Sequence, residues 1–310
     1  MKGYRRLFLL IRRSVLPLSA TLILSSHLPA QATELPQATG ENERISAHRI
    51  ISAGGGITEI LYALGADQQL VGTDTTSSFP EAAKKLPSVG YQRNLSAEGI
   101  LSLAPDLLLI STAAGPPAVL KQISAAGIPV KTIQEDYTKE GLIKKIRHIA
   151  ALVDKQNQTE PLLARLSADF DTLEKTRGQS GQRPRILFLL TVSQGNLLAA
   201  GSDTPADAMI QLAGGSNAMN GFSSYKPVST EALISAAPDI ILCTDLTLNS
   251  VGGLEKLLDI PGIKLTPAGH KGRVIIMDTL FLLGFGPRTG QAALDLSRQI
   301  QSFSVSKSAL

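Results

Sequence analysis

Tyr91 and Arg93 stand two residues apart in the stretch GYQRNLSAEG, Gly90 to Gly99, between glycines and just ahead of a serine able to cap a helix. A phenol must lose its proton to become a strong ligand. A guanidinium, permanently charged, favours the phenolate by Coulomb attraction and by hydrogen bonding. The resulting oxygen anion suits a hard cation such as ferric iron. On these residues alone a second reading stays open, in which Tyr91 packs its ring in a turn and Arg93 pairs with a carboxylate elsewhere.

The remaining tyrosines divide by context. Tyr4 lies in the N-terminal stretch expected to be removed, and Tyr62 falls among Ile57, Ile60, Leu61 and Leu64 at helical spacing, which predicts core packing. Tyr137, in the loop from Glu135 to Lys139, and Tyr225 remain candidates to line a cleft. Three histidines, His48, His148 and His270, are expected at the surface. Cys243 sits in an apolar run and is expected to be a buried small hydrophobe, since a lone cysteine forms no internal disulfide. Enzyme signatures fail on inspection. Ala53-Gly54-Gly55-Gly56-Ile57-Thr58-Glu59 has glutamate where G-x-G-x-x-G requires glycine, and no G-x-S-x-G, H-E-x-x-H or C-x-x-C occurs. The glycines are expected to turn a strand tightly into a helix.

Elements that could position these groups come in two sets. LSAEGILSLAPDLLLI, Leu95 to Ile110, matches VSTEALISAAPDIILC, Val228 to Cys243, at seven of sixteen positions with an offset of 133. In each copy a serine (Ser96, Ser229) can cap a helix, a glutamate (Glu98, Glu231) suits its positive end, and Pro105 or Pro238 stops it before a buried strand. The offset sets Tyr225 opposite Gln92 and Lys226 opposite Arg93. Short apolar runs predict strands at Ile50 to Ala53, Leu70 to Gly72, Leu107 to Ser111 and Val130 to Ile133. A second set falls at Ile186 to Thr191, Leu197 to Ala200, Ile240 to Cys243 and Val274 to Met277. Helical segments alternate with them. The predicted fold class is α/β: two lobes, each with a central mostly parallel sheet flanked by helices. Between them, Leu162, Leu163, Leu166, Phe170 and Leu173 mark one face of a helix from Thr159 to Arg177, about 30 Å long, which would join the lobes and limit hinge closure.

The chain opens with Lys2, Arg5, Arg6, Arg12 and Arg13, continues through an apolar segment broken by Pro17 and His27, and reaches Ala30-Gln31-Ala32. A secretory signal peptide over 1–32 is expected. Its removal takes five of the 30 basic residues and none of the 26 acidic ones, so 25 minus 26 leaves a formal charge of −1. Without a basic stripe, no nucleic-acid partner is expected. No cysteine follows the leader to take a lipid, so a soluble periplasmic protein, not itself embedded in a membrane, is predicted. The predicted domains are a flexible segment over 33–45, an N-terminal lobe over 46–157, an interlobe helix over 158–178 and a C-terminal lobe over 183–310.

Four motifs, ITEILYALG (Ile57 to Gly65), VGYQRNLSAEGILSL (Val89 to Leu103), YKPVSTE (Tyr225 to Glu231) and LGFGPRT (Leu283 to Thr289), together with this organisation, resemble the periplasmic substrate-binding proteins of cobalamin, siderophore and haem importers, and most closely the haem-binding branch. The similarity runs from about Arg49 to Ile300. It implies a monomer that binds ferric haem as transported cargo, with Tyr91 as the iron ligand, and delivers it to an inner-membrane ABC permease with its ATPase. It implies docking of Glu98 and Glu231 into permease arginine pockets, against the plainer role of complementing their own helix dipoles. Tyr225 and Lys226 become cleft candidates, and Arg288 and Lys226 candidate propionate partners, although Arg288 also suits a structural place at a helix start. A second axial ligand, where the branch has one, would come from Thr191 to Asn196, which holds no histidine. Rival readings are cobalamin or a ferric siderophore on the same fold, and a tetrapyrrole-processing enzyme.

Overall fold

A computed structural model describes residues 48–177, 183–191 and 197–305. Residues 1–47, 178–182, 192–196 and 306–310 lie outside them, so the expectations of a signal peptide over 1–32, of a flexible segment over 33–45 and of an axial ligand between Thr191 and Asn196 are not addressed by the structure.

The first lobe runs β1 (Ile50–Ala53), α1 (Gly55–Ala63), β2 (Leu70–Thr73), two-residue strands β3 (Gly90–Tyr91) and β4 (Asn94–Leu95), α2 (Ala97–Ser102), β5 (Leu107–Ser111), α3 (Pro117–Ala125), β6 (Val130–Ile133) and α4 (Lys139–Leu152). Helix α5 (Thr159–Arg177) follows. The second lobe comprises β7 (Arg185–Thr191), β8 (Leu197–Ala200), α6 (Pro205–Leu212), β9 (Ser216–Asn217), β10 (Tyr225–Pro227), α7 (Thr230–Ala236) and β11 (Ile240–Thr244). Four short helices come next, α8 (Asp245–Val251), α9 (Leu254–Asp259), α10 (Pro261–Lys264) and α11 (Pro267–His270), then β12 (Val274–Met277), α12 (Thr279–Leu283) and α13 (Thr289–Val305).

The first sheet has the order β2-β1-β5-β6 and is parallel throughout. Strand residues alternate between two cores. Ile50, Leu107 and Leu109 enter a large central cluster, while Ile51, Leu108 and Ile110 enter a second one under the outer helices. Both faces of the central strands β1 and β5 are covered, which is why these two read as largely unbroken apolar runs. The second sheet, β10-β8-β7-β11-β12 with β9 on β7, is also mostly parallel but has one antiparallel side. Its β7–β11, β11–β12 and β7–β9 pairings are parallel, but β7–β8 and β8–β10 are antiparallel. Only five residues separate the end of strand β7 at Thr191 from the start of β8 at Leu197. So short a connection cannot carry a crossover, and the chain must return antiparallel.

Helix α5 buries the apolar face read from its spacing, and Leu162, Leu166, Phe170 and Leu173 join a core that also holds residues of both sheets and of α13. The lobes are therefore coupled through packed apolar side chains. The glycines after β1 have a second task. Gly54 makes the turn at φ 141°, and Gly56 brings α1 flush against the segment after α12, where an added Cβ would lie 2.0 Å from the Gly284 carbonyl oxygen.

Candidate functional site

Strands β3 and β4 form a hairpin in which Gly90 pairs with Leu95 and Tyr91 with Asn94, leaving Gln92 and Arg93 as the turn. Gly90, at φ 93°, supplies a backbone conformation that side chains resist. Four bonds pin the hairpin. The Gln92 side-chain oxygen accepts from Ser111 Oγ at 2.6 Å, its carbonyl accepts from Gly115 N–H at 2.9 Å, Leu95 N–H donates to Gly115 O at 2.8 Å, and Thr75 N–H donates to Gly90 O at 2.9 Å. Ser111 ends β5 and Thr75 follows β2, so the hairpin sits at the carboxyl ends of the first sheet, where open α/β sheets place ligands. Tyr91 is held there with 47 % of its surface exposed.

Arg93, exposed at the turn, acts electrostatically on two other tyrosines, one from each lobe. Burial raises the Tyr137 phenol above its ordinary range, as does the Glu135 charge, and Arg93 opposes both. Burial raises Tyr225 further, reinforced by Tyr137 and opposed by Arg93 and by hydrogen bonding to Ala206 N–H and the Thr204 hydroxyl. Tyr137 packs edge-on to Phe285 at 4.9 Å and Tyr225 to Phe188 at 6.3 Å. Both are thus held as neutral phenols, suited to hydrogen bonding and apolar contact. Arg93, Tyr137 and Tyr225 are brought together across the lobes; Lys226 is not. Strand alternation turns Lys226 to the other face of β10, where its exposed ammonium lies 5.3 Å from the Phe222 ring centroid.

Arg288 is engaged elsewhere. Its guanidinium grips the buried Glu59 carboxylate of α1 in a bidentate pair, with Nε donating to Oε2 at 2.9 Å, and lies 3.7 Å from the Phe79 centroid and 5.0 Å from that of Phe281. Burial raises the Glu59 pKa, and Arg288 works against that shift. Beside this pair, the Lys145 ammonium, also buried, donates to Glu135 at 2.9 Å and to the Phe285 carbonyl at 3.3 Å. These contacts tie α1 and α4 to the chain between α12 and α13. A cavity of about 310 Å³ is lined by Phe79, Asp278, Phe281 and Arg288 among others, and another of about 180 Å³ lies beside Arg177 and Gly214. Neither includes a residue of the hairpin.

Glu98 and Glu231 are exposed in the first turns of α2 and α7, whose capping serines accept from Gly99 N–H at 3.1 Å and Ala232 N–H at 3.2 Å. The Glu231 carboxyl is pulled below its usual range by its own backbone N–H and then by Ser229. The far ends of these helices hold residues that sequence reasoning missed. Arg49 donates to the carbonyls of Ala104 at 2.9 Å and Leu103 at 2.6 Å, and Arg185 donates twice to the Ala236 carbonyl, at 3.0 and 2.8 Å. Asp106 and Asp239 accept the backbone N–H groups of Arg49 and Arg185, each at 3.0 Å. Their signal was present: Arg49 immediately precedes the first strand of its lobe and Arg185 opens the first strand of the other, and each aspartate lies in the repeated A-P-D.

His48, His148 and His270 are exposed, and Cys243 is buried. Among the described residues no group of three or more His, Cys, Asp or Glu could hold a metal ion, and no helix is long and apolar enough to cross a membrane.

A family model described as periplasmic binding protein matches residues 50–279. Among solved structures, the periplasmic haem-binding protein BhuT in complex with two haems is 45 % identical, with 82 % of this chain and 98 % of that one covered at a TM-score of 0.78. The periplasmic haem-binding protein RhuT from Roseiflexus sp. RS-1, in apo form, is 42 % identical, with coverage of 83 % and 99 % and a TM-score of 0.79. The vitamin B12-binding protein of Yersinia pestis is 31 % identical over 237 residues, which span 73 % of this chain and 76 % of the relative.

Proposed function

The chain belongs to the periplasmic binding protein family, and from that premise we propose that it captures ferric haem between lobes 46–157 and 183–310 and delivers it, as a periplasmic monomer, to an inner-membrane ABC permease. The observation that carries this reading is Tyr91. It is a half-exposed phenol pinned at the carboxyl ends of the first sheet, while Tyr137 and Tyr225 are held neutral by burial. Of the three, Tyr91 is the one presented to solvent as a ligand for iron. Solved structures of haem-binding proteins at 45 % and 42 % identity support the choice of cargo.

In this reading the Tyr91 phenolate takes an axial position on the iron, and Arg93 stabilises its charge by Coulomb attraction and hydrogen bonding. Tyr137 and Tyr225, each partly exposed, offer aromatic surface to a flat apolar ligand, with Phe285 buried behind Tyr137. Of the candidate propionate partners, Arg288 is already engaged by Glu59, and exposed Lys226, on the opposite face of β10 from Tyr225, would meet a propionate only at the cleft rim. Glu98 and Glu231 orient the loaded protein on the permease, a role in which rim charges act more on encounter than on affinity. Binding and release suffice, with no catalysed step.

Titrating the purified protein with hemin tests this. One-to-one binding with a shifted Soret band and a high-spin ferric charge-transfer band is expected, with the latter lost in Tyr91→Ala. Retention of that band in the variant would remove Tyr91 as the iron ligand. The similarity to a vitamin B12-binding protein favours cobalamin as the second reading, and a parallel titration with cyanocobalamin decides between them. Release of iron or alteration of the macrocycle on prolonged incubation would mark an enzyme.

A further inference from the structure

Resting on the permease-docking reading above, we infer that each docking helix recognises its partner through a carboxylate and an aliphatic side chain one turn further on. Leu101 on α2 and Ile234 on α7 are 36 % and 39 % exposed, and neither belongs to the apolar clusters beneath its helix. Each lies three residues after the docking glutamate, so Glu98 and Leu101 share one face of α2 and Glu231 and Ile234 share one face of α7. The next residues on those faces, Ser102 and Ser235, are small and also exposed. A single exposed aliphatic residue needs no explanation. Two of them at the same offset of 133 are different, because nine of the sixteen repeat positions differ between the copies and yet both copies keep a bulky apolar side chain facing water.

The partner this fits presents two equivalent patches, each with a cation beside an apolar contact, as a permease of two like subunits would. The relatives include an ABC transporter substrate-binding lipoprotein, so the partner is the transporter's permease, and the exposed carboxylates of Glu98 and Glu231 call for cations on it. The matched clamps of Arg49 and Arg185 on the opposite helix ends hold the two patches in like poses. The glutamates supply long-range attraction that falls with salt, and Leu101 and Ile234 supply burial that does not.

The test reconstitutes the inner-membrane permease and ATPase of the producing bacterium in proteoliposomes. It measures the concentration of loaded binding protein that half-maximally stimulates ATP hydrolysis. Leu101→Ser with Ile234→Ser is expected to raise that concentration about 100-fold, roughly tenfold per side chain, at both low and high salt. Hemin affinity and melting temperature should be unchanged, and Leu101→Met with Ile234→Met should restore docking. Unchanged stimulation by the serine variant, while Glu98→Lys with Glu231→Lys abolishes it, overturns this inference and leaves the acidic docking reading intact. Unchanged stimulation by both variants overturns the docking reading itself.

Discussion

Replacing Arg288 with alanine separates its two candidate roles, because one is structural and pH-dependent and the other is not. In the folded protein Glu59 is 5 % exposed and its carboxylate is compensated by the Arg288 fork. Truncating one partner of a buried pair costs about 3–5 kcal/mol. The abandoned carboxyl can instead take a proton, which sets a ceiling on the electrostatic part. Holding protonated a group of ordinary pKa about 4.3 costs about 1.4 kcal/mol per pH unit, so about 3.7 kcal/mol at pH 7 and about 1 kcal/mol at pH 5. Loss of stacking on Phe79 and Phe281 adds about 0.5–1 kcal/mol at either pH.

The direction follows from Glu59's raised pKa. An acid that holds its proton more tightly folded than unfolded weakens the fold as pH rises from its unfolded pKa to its folded one, and that burden lifts as pH falls. Removing Arg288 raises the folded value further and widens the window. Urea unfolding of the apoprotein, followed by circular dichroism at pH 7 and pH 5, should show a deficit of about 4 kcal/mol shrinking to about 2 kcal/mol. Adding Glu59→Gln should flatten the difference between the two pH values. Hemin affinity of the folded variant should stay within about twofold. An Arg288→Ala protein of unchanged stability and much weaker hemin binding would refute the reasoning and return Arg288 to the ligand.

Two further expectations concern packing. Gly56→Ala puts a Cβ against the backbone carbonyl of Gly284, which no side-chain movement can relieve, so α1 must separate from the segment after α12 at a cost of roughly 1–3 kcal/mol. Thermal melts should show a lower Tm for Gly56→Ala than for Gly221→Ala, a position with open space around it, and equal values would contradict the close approach. Cys243 is fully buried in β11, and burial pushes its thiol up to about 12. Native protein at pH 8 should leave Ellman's reagent unreacted and release one equivalent only in denaturant; prompt native reaction would place β11 at the surface.

What the sequence made legible was local chemistry. The runs Ile50 to Ala53 and Leu107 to Ser111 coincide with strands because both sheet faces bury them, and the edge strands Val130 to Ile133 and Val274 to Met277 coincide with their runs although each leaves one residue exposed. Ser96 and Ser229 cap as their position demands, and the Leu162 to Leu173 stripe gives α5 its limits. Pairings set by tertiary structure left little trace. Glu59 and Arg288 are 229 residues apart, and nothing in the spacing of either announces the other. The helices α8 to α11 are too short for a periodicity to emerge. Offset alignment equated Arg93 with Lys226, but it could not register that one lies in a hairpin turn and the other on a strand whose alternation turns it away from Tyr225.

The internal repeat has therefore diverged on one side and been kept on the other. Outward positions match closely: Glu98 with Glu231, Leu101 with Ile234, Ser96 with Ser229, Asp106 with Asp239, and an arginine clamp behind each helix. The positions proposed to line the cleft do not match, since the first lobe contributes a pinned hairpin carrying Tyr91 and Arg93, whereas the second builds antiparallel strands with Tyr225 largely buried. A partner made of two like subunits selects for equivalent surfaces, while an asymmetric ligand contact needs a strong donor from only one side. This distribution of kept and altered residues is the one expected under the proposed function, in which the molecule meets a symmetric receptor with one end and holds a single iron ligand in its cleft. A second strong donor in the cleft would break that argument, and the residues that could supply one, Tyr137 and Tyr225, are the ones burial keeps protonated.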